Sequence, residues 1–168
     1  MDGRDGAAAV RAEWRAEEER WSRAAFERWE HGRTLVDIAR QCMLRGDTAR
    51  FTFPSVTWSG VVVAVGDDVA RVDAGDTRVD VHLGASAPLV LRTRAGGRDR
   101  TGSGGAVTTF AARLRELDGT EVCIGIATGL LEGTLRVGRD QLRLRDRDGG
   151  CAYVPTGSVW WVRPLDDD

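Results

Sequence analysis

Up to Gly46 the apolar residues recur at helical spacing, and beyond it they alternate. From Ala7 to Glu30 the chain is built of good helix formers with no Gly or Pro, and Val10, Trp14, Trp21, Ala25 and Trp29 fall on one arc of the helix they predict. Pairs such as Glu19 and Arg23, four residues apart, support the polar side. His31-Gly32 ends this segment. A second helix is expected to start at Thr34, three residues before Asp37 in a capping-box arrangement, and to bury Leu35, Ile38, Ala39 and Cys42. Gly46 stops it.

The alternation that follows marks five short strands, near Thr48 to Phe53, Trp58 to Val65, Ala70 to Asp73, Arg78 to Leu83 and Pro88 to Leu91. Gly66-Asp67 and Ala74-Gly75-Asp76 supply turns between them. Five strands at this spacing suit a small closed or nearly closed barrel. Arg92 to Ala106, rich in Gly, Arg and Ser, breaks the pattern and reads as a flexible linker. Thr108 then caps a third helix with Phe110, Leu114 and Leu117 on one face, and Gly119 ends it. Strands are expected again near Glu121 to Ile126, Leu131 to Val137, Gln141 to Asp146, Cys151 to Pro155 and Ser158 to Val162.

The second half repeats the first at an offset of 73 residues. Gly46 matches Gly119, Phe51 matches Ile124, Phe53 matches Ile126, Gly60 matches Gly133, Val69 matches Leu142, Asp73 matches Asp146 and Val81 matches Val154; the Gly66/Gly138 turn slips by one. Gly paired with Gly and apolar with apolar across five strands implies an internal duplication. The expected fold is mainly β with an N-terminal α segment: a helical arm over 1–33, a first barrel over 34–92, a Gly/Arg-rich linker over 93–107 and a second barrel over 108–168. Each half would be a small open five-stranded barrel preceded by a short helix.

Composition changes this picture in a few respects. An apolar content of 42% is ordinary for a packed core, so disorder is not the expectation. Every positive charge is arginine, with no Lys and no Asn, the pattern of a GC-rich coding genome of actinobacterial type. Arginine abundance alone therefore says little about anionic ligands. The net charge of −2 argues against coating nucleic acid through a general field. The apolar run around Val61 to Val65 is too short to span a bilayer, and Met1-Asp2-Gly3-Arg4-Asp5 lacks the features of a signal peptide. The expectation is a cytoplasmic protein with no membrane partner. Cys42, Cys123 and Cys151 are widely spaced and outside CxxC pairs, which suits neither a disulfide framework nor a zinc site.

Leu117-Asp118-Gly119-Thr120-Glu121-Val122, Glu132-Gly133-Thr134-Leu135 and Val137-Gly138-Arg139-Asp140-Gln141-Leu142-Arg143-Leu144 form a helix end, a strand, a Gly-bent strand and an acidic turn. Gly46, Gly60-Val61 and Gly66-Asp67-Asp68 echo them in the first half. The arrangement resembles the Sm-like family, which includes eukaryotic Sm proteins and bacterial Hfq, covering each half once. The resemblance implies a small barrel, ring assembly through edge strands and recognition of single-stranded RNA at the turns. Sm proteins place an Asn after the acidic turn residue and a basic-Gly pair before the fifth strand; here Gln141 follows Asp140, and Tyr153-Val154-Pro155-Thr156-Gly157-Ser158 stands at the second place. The Lys and His of the Hfq Tyr-Lys-His element have no counterpart in either half. Nanomolar binding of uridine-rich RNA is therefore not expected.

No nucleophile setting accompanies His31 or His82, and Asp67, Asp68 and Asp73 read as turn residues, so no catalytic residue, cofactor or metal is expected. Ala95 to Gly105 lacks the GK[ST] ending and the strand-to-helix setting of a phosphate loop. The candidates left are binding residues. Trp14, Trp21 and Trp29 form an apolar stripe expected to be buried, against the chain's own barrels or a partner. Arg92, Arg94, Arg98 and Arg100 could contact phosphates. Trp160 and Trp161 alternate, so one is expected in the core and the other at an interface, under a helix or exposed as a stacking platform, with Trp160 the candidate nucleic-acid contact. The function expected is a non-enzymatic binding or scaffold protein with an unknown protein partner or self-association; the alternative is an RNA-binding Sm-like protein with an unconventional surface.

Overall fold

In a computed structural model of the protein, residues 14–27, 32–85, 87–96 and 107–165 are described, and the chain divides into two units, Met1–Thr34 and Leu35–Asp168. The first unit contains helix α1, described over 14–27. Trp14 and Trp21 are 72% and 66% exposed. Among the described residues of this unit α1 is the only helix and no strand accompanies it. Trp29 lies outside the described residues.

The second unit opens with α2 (Leu35–Arg45), which buries Ala39 and Cys42 and ends at Gly46. Gly46 adopts a φ of 64°, and the Asp47 N–H closes the helix end on the Cys42 carbonyl at 3.0 Å. Strands β1 (Thr48–Thr52), β2 (Thr57–Val65), β3 (Val69–Asp73), β4 (Arg78–His82) and β5 (Val90–Arg94) follow. After the linker come α3 (Phe110–Glu116), β6 (Glu121–Ile126), β7 (Gly129–Val137), β8 (Gln141–Arg145), β9 (Cys151–Pro155), a 3-10 turn at Thr156–Ser158, and β10 (Trp161–Pro164). The cap of α3 is Thr109 and not Thr108: its hydroxyl accepts from the Ala112 N–H at 3.0 Å.

All ten strands belong to one antiparallel sheet in the order β5-β1-β2-β3-β4-β10-β6-β7-β8-β9. The sheet is continuous across both halves, where two tandem open barrels were expected. Each half keeps the same internal order, its fifth strand beside its first, and the joint is the fourth strand of one half against the fifth of the other. Trp161 pairs with Val81 and Val162 with Asp80, and the His82 N–H extends the ladder to the Trp160 carbonyl at 2.9 Å. The terminal strands β5 and β9 each have one ladder partner among the described residues.

The offset of 73 recurs in the strand register. Ala49 pairs with Gly60 and Val122 with Gly133, keeping the offset of 73. A Cβ built on Gly60 would run into the backbone carbonyl of Asp73, and one on Gly133 into that of Arg145. Both glycines therefore let the second strand press against the end of the third. Gly60→Ala and Gly133→Ala are each expected to destabilise by about 1–3 kcal/mol, as overpacking does, rather than to stabilise as Gly→Ala does at an open site. Urea denaturation of each variant checks this. In the third strand the offset becomes 72: Val62 pairs with Val72 where Leu135 pairs with Leu144, so Leu142 corresponds to Ala70, not Val69, and Arg145 to Asp73. A register shift between Val62 and Ala64 in β2, without a counterpart in β7, accounts for the difference.

Two cores result, and each draws on both halves. The first gathers Phe51, Phe53, Val62, Val72, Val79 and Val81 with Cys123, Trp160 and Trp161 of the second half. The second gathers Phe110, Leu114, Ile124, Leu135, Leu142 and Val162 with Ala64 and Val69 of the first.

Candidate functional site

Buried charge concentrates where the halves meet. Asp80 on β4 is 1% exposed; Arg71 Nε of β3 donates to its Oδ1 at 2.9 Å and Arg113 Nε of α3 donates to its Oδ2 at 2.7 Å. Arg113 also donates through Nη1 to Glu116 at 2.9 Å. Burial alone would lower the Arg113 pKa, but the hydrogen bonds and charges of Asp80 and Glu116 outweigh it and raise it, so the guanidinium stays charged. The carboxylate thus ties the first sheet half to the helix of the second.

A second tie lies beside it. His82 stacks on Phe110 with ring centroids 4.4 Å apart and planes 5° from parallel. Its Nδ1 is 3.0 Å from the Val159 carbonyl, which can only accept, so this nitrogen carries the proton, and Nε2 faces Asp68 at 3.5 Å. Asp68 accepts through Oδ1 from the Phe110 N–H at 2.7 Å, capping α3 from the opposite half. The Gly66 turn fits against the Val107 and Thr108 carbonyls with no room for a Cβ, and the Asp67 N–H bonds to Thr108 at 2.8 Å. His82 and Asp68 thereby both bond across the two halves. Asp73 caps its own turn, accepting from the Gly75 N–H at 3.3 Å.

Cys123 is 2% exposed, and burial, with Glu132 adding its charge against Arg163, pushes its thiol pKa up; it stays protonated and a poor nucleophile. Among the described residues no group of three or more His, Cys, Asp or Glu is placed to hold a metal ion. Nor is any helix of the described residues long and apolar enough to cross a membrane.

The binding candidates fall differently from expectation. Arg92 and Arg94 belong to β5 and not to a linker, which begins after it; the strand lies at an end of the sheet with every residue but Leu91 exposed, where arginine is compatible with pairing. Arg98 and Arg100 lie outside the described residues. Trp160 is 7% exposed and stacked on Phe53 at 6.0 Å, and Trp161 is 1% exposed and edge-on to Trp58 at 5.0 Å, so neither indole is a platform for a base. Both indoles enter the first core, Trp160 from the residue before β10 and Trp161 from its first position.

Two exposed surfaces bring together residues that the sequence leaves apart. On β7, β8 and β9, Arg136, Arg143 and Tyr153 stand directly across from one another, and Tyr153 is 61% exposed. On β2, β1 and β5, Ser59, Arg50 and Arg92 form a similar row, with Thr48 opposite Arg94 beside it; they line an open groove of about 600 Å³. Alternate spacing was the signal for both, since Arg50 lies between buried Ala49 and Phe51, and Arg143 between buried Leu142 and Leu144. Comparison with protein-family models gives no match for the chain, and comparison with curated proteins gives none.

Proposed function

We propose that the chain is a non-enzymatic binding or scaffold protein in which two Sm-like modules are fused edge to edge. The observation that carries this reading is the antiparallel joint of β4 and β10, which leaves the complementary pair of edges, β5 and β9, at the two ends of the sheet. The in-chain joint offers the template: a fourth strand accepts a fifth. Val90 on β5 is 51% exposed and Tyr153 on β9 is 61% exposed, apolar area that a second copy would cover. The indoles of Trp14 and Trp21 give a protein partner a further apolar contact.

A second reading, nucleic-acid binding, draws support from the Arg136-Arg143-Tyr153 row, since an exposed aromatic ring at the end of a row of guanidiniums suits a stacked base. One experiment separates the two. The solution mass and the ultraviolet absorbance ratio of the purified full chain are measured together, with Val90→Lys and Tyr153→Lys as variants. The scaffold reading expects a mass above one chain, falling to that of one chain in either variant, and no copurified nucleic acid. A monomeric wild-type protein that carries nucleic acid, or that binds uridine-rich RNA at nanomolar concentration with steep salt dependence, overturns it.

A further inference from the structure

The groove on the outer face of β5, β1 and β2 carries an inference independent of the family resemblance: we propose that it binds a small polyphosphate-type anion, the phosphoryl groups being held by Arg50, Arg92 and Arg94. Arg50 and Arg92 are direct cross-strand neighbours, and Arg94 follows on the same face of β5 opposite Thr48. Like charges placed directly opposite one another on adjacent strands repel. Nothing offsets them: none of the three has a carboxylate at ion-pair distance among the described residues. Asp47, next to Thr48, accepts from the Gly96 N–H at 3.1 Å. A multiply charged anion in the groove converts this repulsion into attraction.

The geometry matches phosphoryl groups. Alternate residues on one face of a strand stand about 6.6–6.8 Å apart, and cross-strand neighbours about 4.5–5.5 Å. Long, forked guanidiniums at these spacings can engage neighbouring phosphoryl groups in pairs of N–H···O bonds, which an ammonium cannot do. Thr48, Ser59 and Thr93 line the same groove and add hydroxyl donors.

A small ligand is favoured over a polymer for three reasons. The groove's volume of about 600 Å³ lies within the ~300–1,000 Å³ of small-molecule sites. Its lining residues, Thr48, Arg50, Ser59, Arg92, Thr93, Arg94 and Ala95, include no aromatic ring on which a base could stack. The chain carries a net charge of −2, so a long polyanion leaving the groove would meet a protein that on average repels it.

Calorimetric titration of the full chain with inorganic tripolyphosphate, at low and at physiological salt, tests the proposal, with a single-stranded oligonucleotide as a parallel arm. Tripolyphosphate should bind saturably, more weakly as salt rises, and should raise the melting temperature. Arg50→Gln and Arg92→Gln should each weaken binding about tenfold, the loss expected for one charge-assisted contact. Arg145→Gln, an exposed arginine on the other half, should leave it unchanged. All three positions are on the outer face of a strand, so circular dichroism should show folding intact. Absence of saturable binding overturns the proposal, as does equal weakening in Arg92→Gln and Arg145→Gln, the mark of a diffuse field. An oligonucleotide that binds more tightly than tripolyphosphate and is lost in the Arg50 and Arg92 variants overturns the small-ligand assignment.

Discussion

Replacing Asp80 by Ala is expected to destabilise the protein by about 3–5 kcal/mol, the range for removing one partner of a buried ion pair. The carboxylate is 1% exposed and engages Arg71 and Arg113 through separate oxygens, while those guanidinium side chains are 13% and 18% exposed. Without it two nearly buried positive charges face each other. Against a total stability of about 5–15 kcal/mol, such a loss brings the urea midpoint down sharply. Because Arg113 sits on α3 and Arg71 on β3, the halves should also lose their coupling. A triple variant, Arg71→Met with Asp80→Leu and Arg113→Met, removes all three charges together and should recover much of the loss, since apolar replacement of a whole buried ionic cluster is often neutral or stabilising. If Asp80→Ala costs less than about 1 kcal/mol, the value of a surface pair, the joint does not depend on this triad.

Much of the fold could be read from the sequence because its signals are local. β6 (Glu121–Ile126) and β9 (Cys151–Pro155) lie where the alternation puts them, and Gly46 and Gly119, both at positive φ, end their helices. The repeat at offset 73 is carried by Gly60 and Gly133, where a close backbone approach excludes any side chain. Which strand lies beside which is not local information. Alternation reports the buried face of a strand, but the β4–β10 joint is a choice of neighbour, and it turns two halves into one sheet.

The same choice hid the site. Val79, Asp80 and Val81 are consecutive and all buried, so β4 is covered on both faces, and an acidic residue in such a strand must be paired. From the sequence Asp80 is one more outward-facing polar residue, since its partners lie nine positions back on β3 and 33 positions on in α3. Arg92 and Arg94 were legible as candidate contacts but not as a strand: a basic run before glycines has the composition of a linker, and only pairing with β1 makes it β5. The Trp14 and Trp21 stripe was legible as a stripe, but what covers an apolar face is a tertiary fact that periodicity does not contain.

Trp161→Ala tests whether the two halves are one cooperative unit. The residue begins β10 in the second half yet lies in the first core, edge-on to Trp58 and in contact with the backbone at Gly125, where a Cβ would collide with its indole nitrogen. Its Nε1 and that of Trp58 are buried without hydrogen-bond partners, so the ring's contribution is packing rather than polar. Truncating a buried Trp destabilises by about 3–5 kcal/mol, part of it lost transfer energy and part the cavity left behind. An indole that is 1% exposed and backed by Gly125 leaves a void that neighbouring strands, fixed by their ladders, can close only in part. The loss should appear in both halves at once: far-ultraviolet circular dichroism in urea should show one transition moved to a lower midpoint, because the removed ring belonged to the core of one half and the strand of the other. If instead the variant unfolds in two steps, with the second half keeping its wild-type midpoint, the halves are independent modules and the shared core does not couple them.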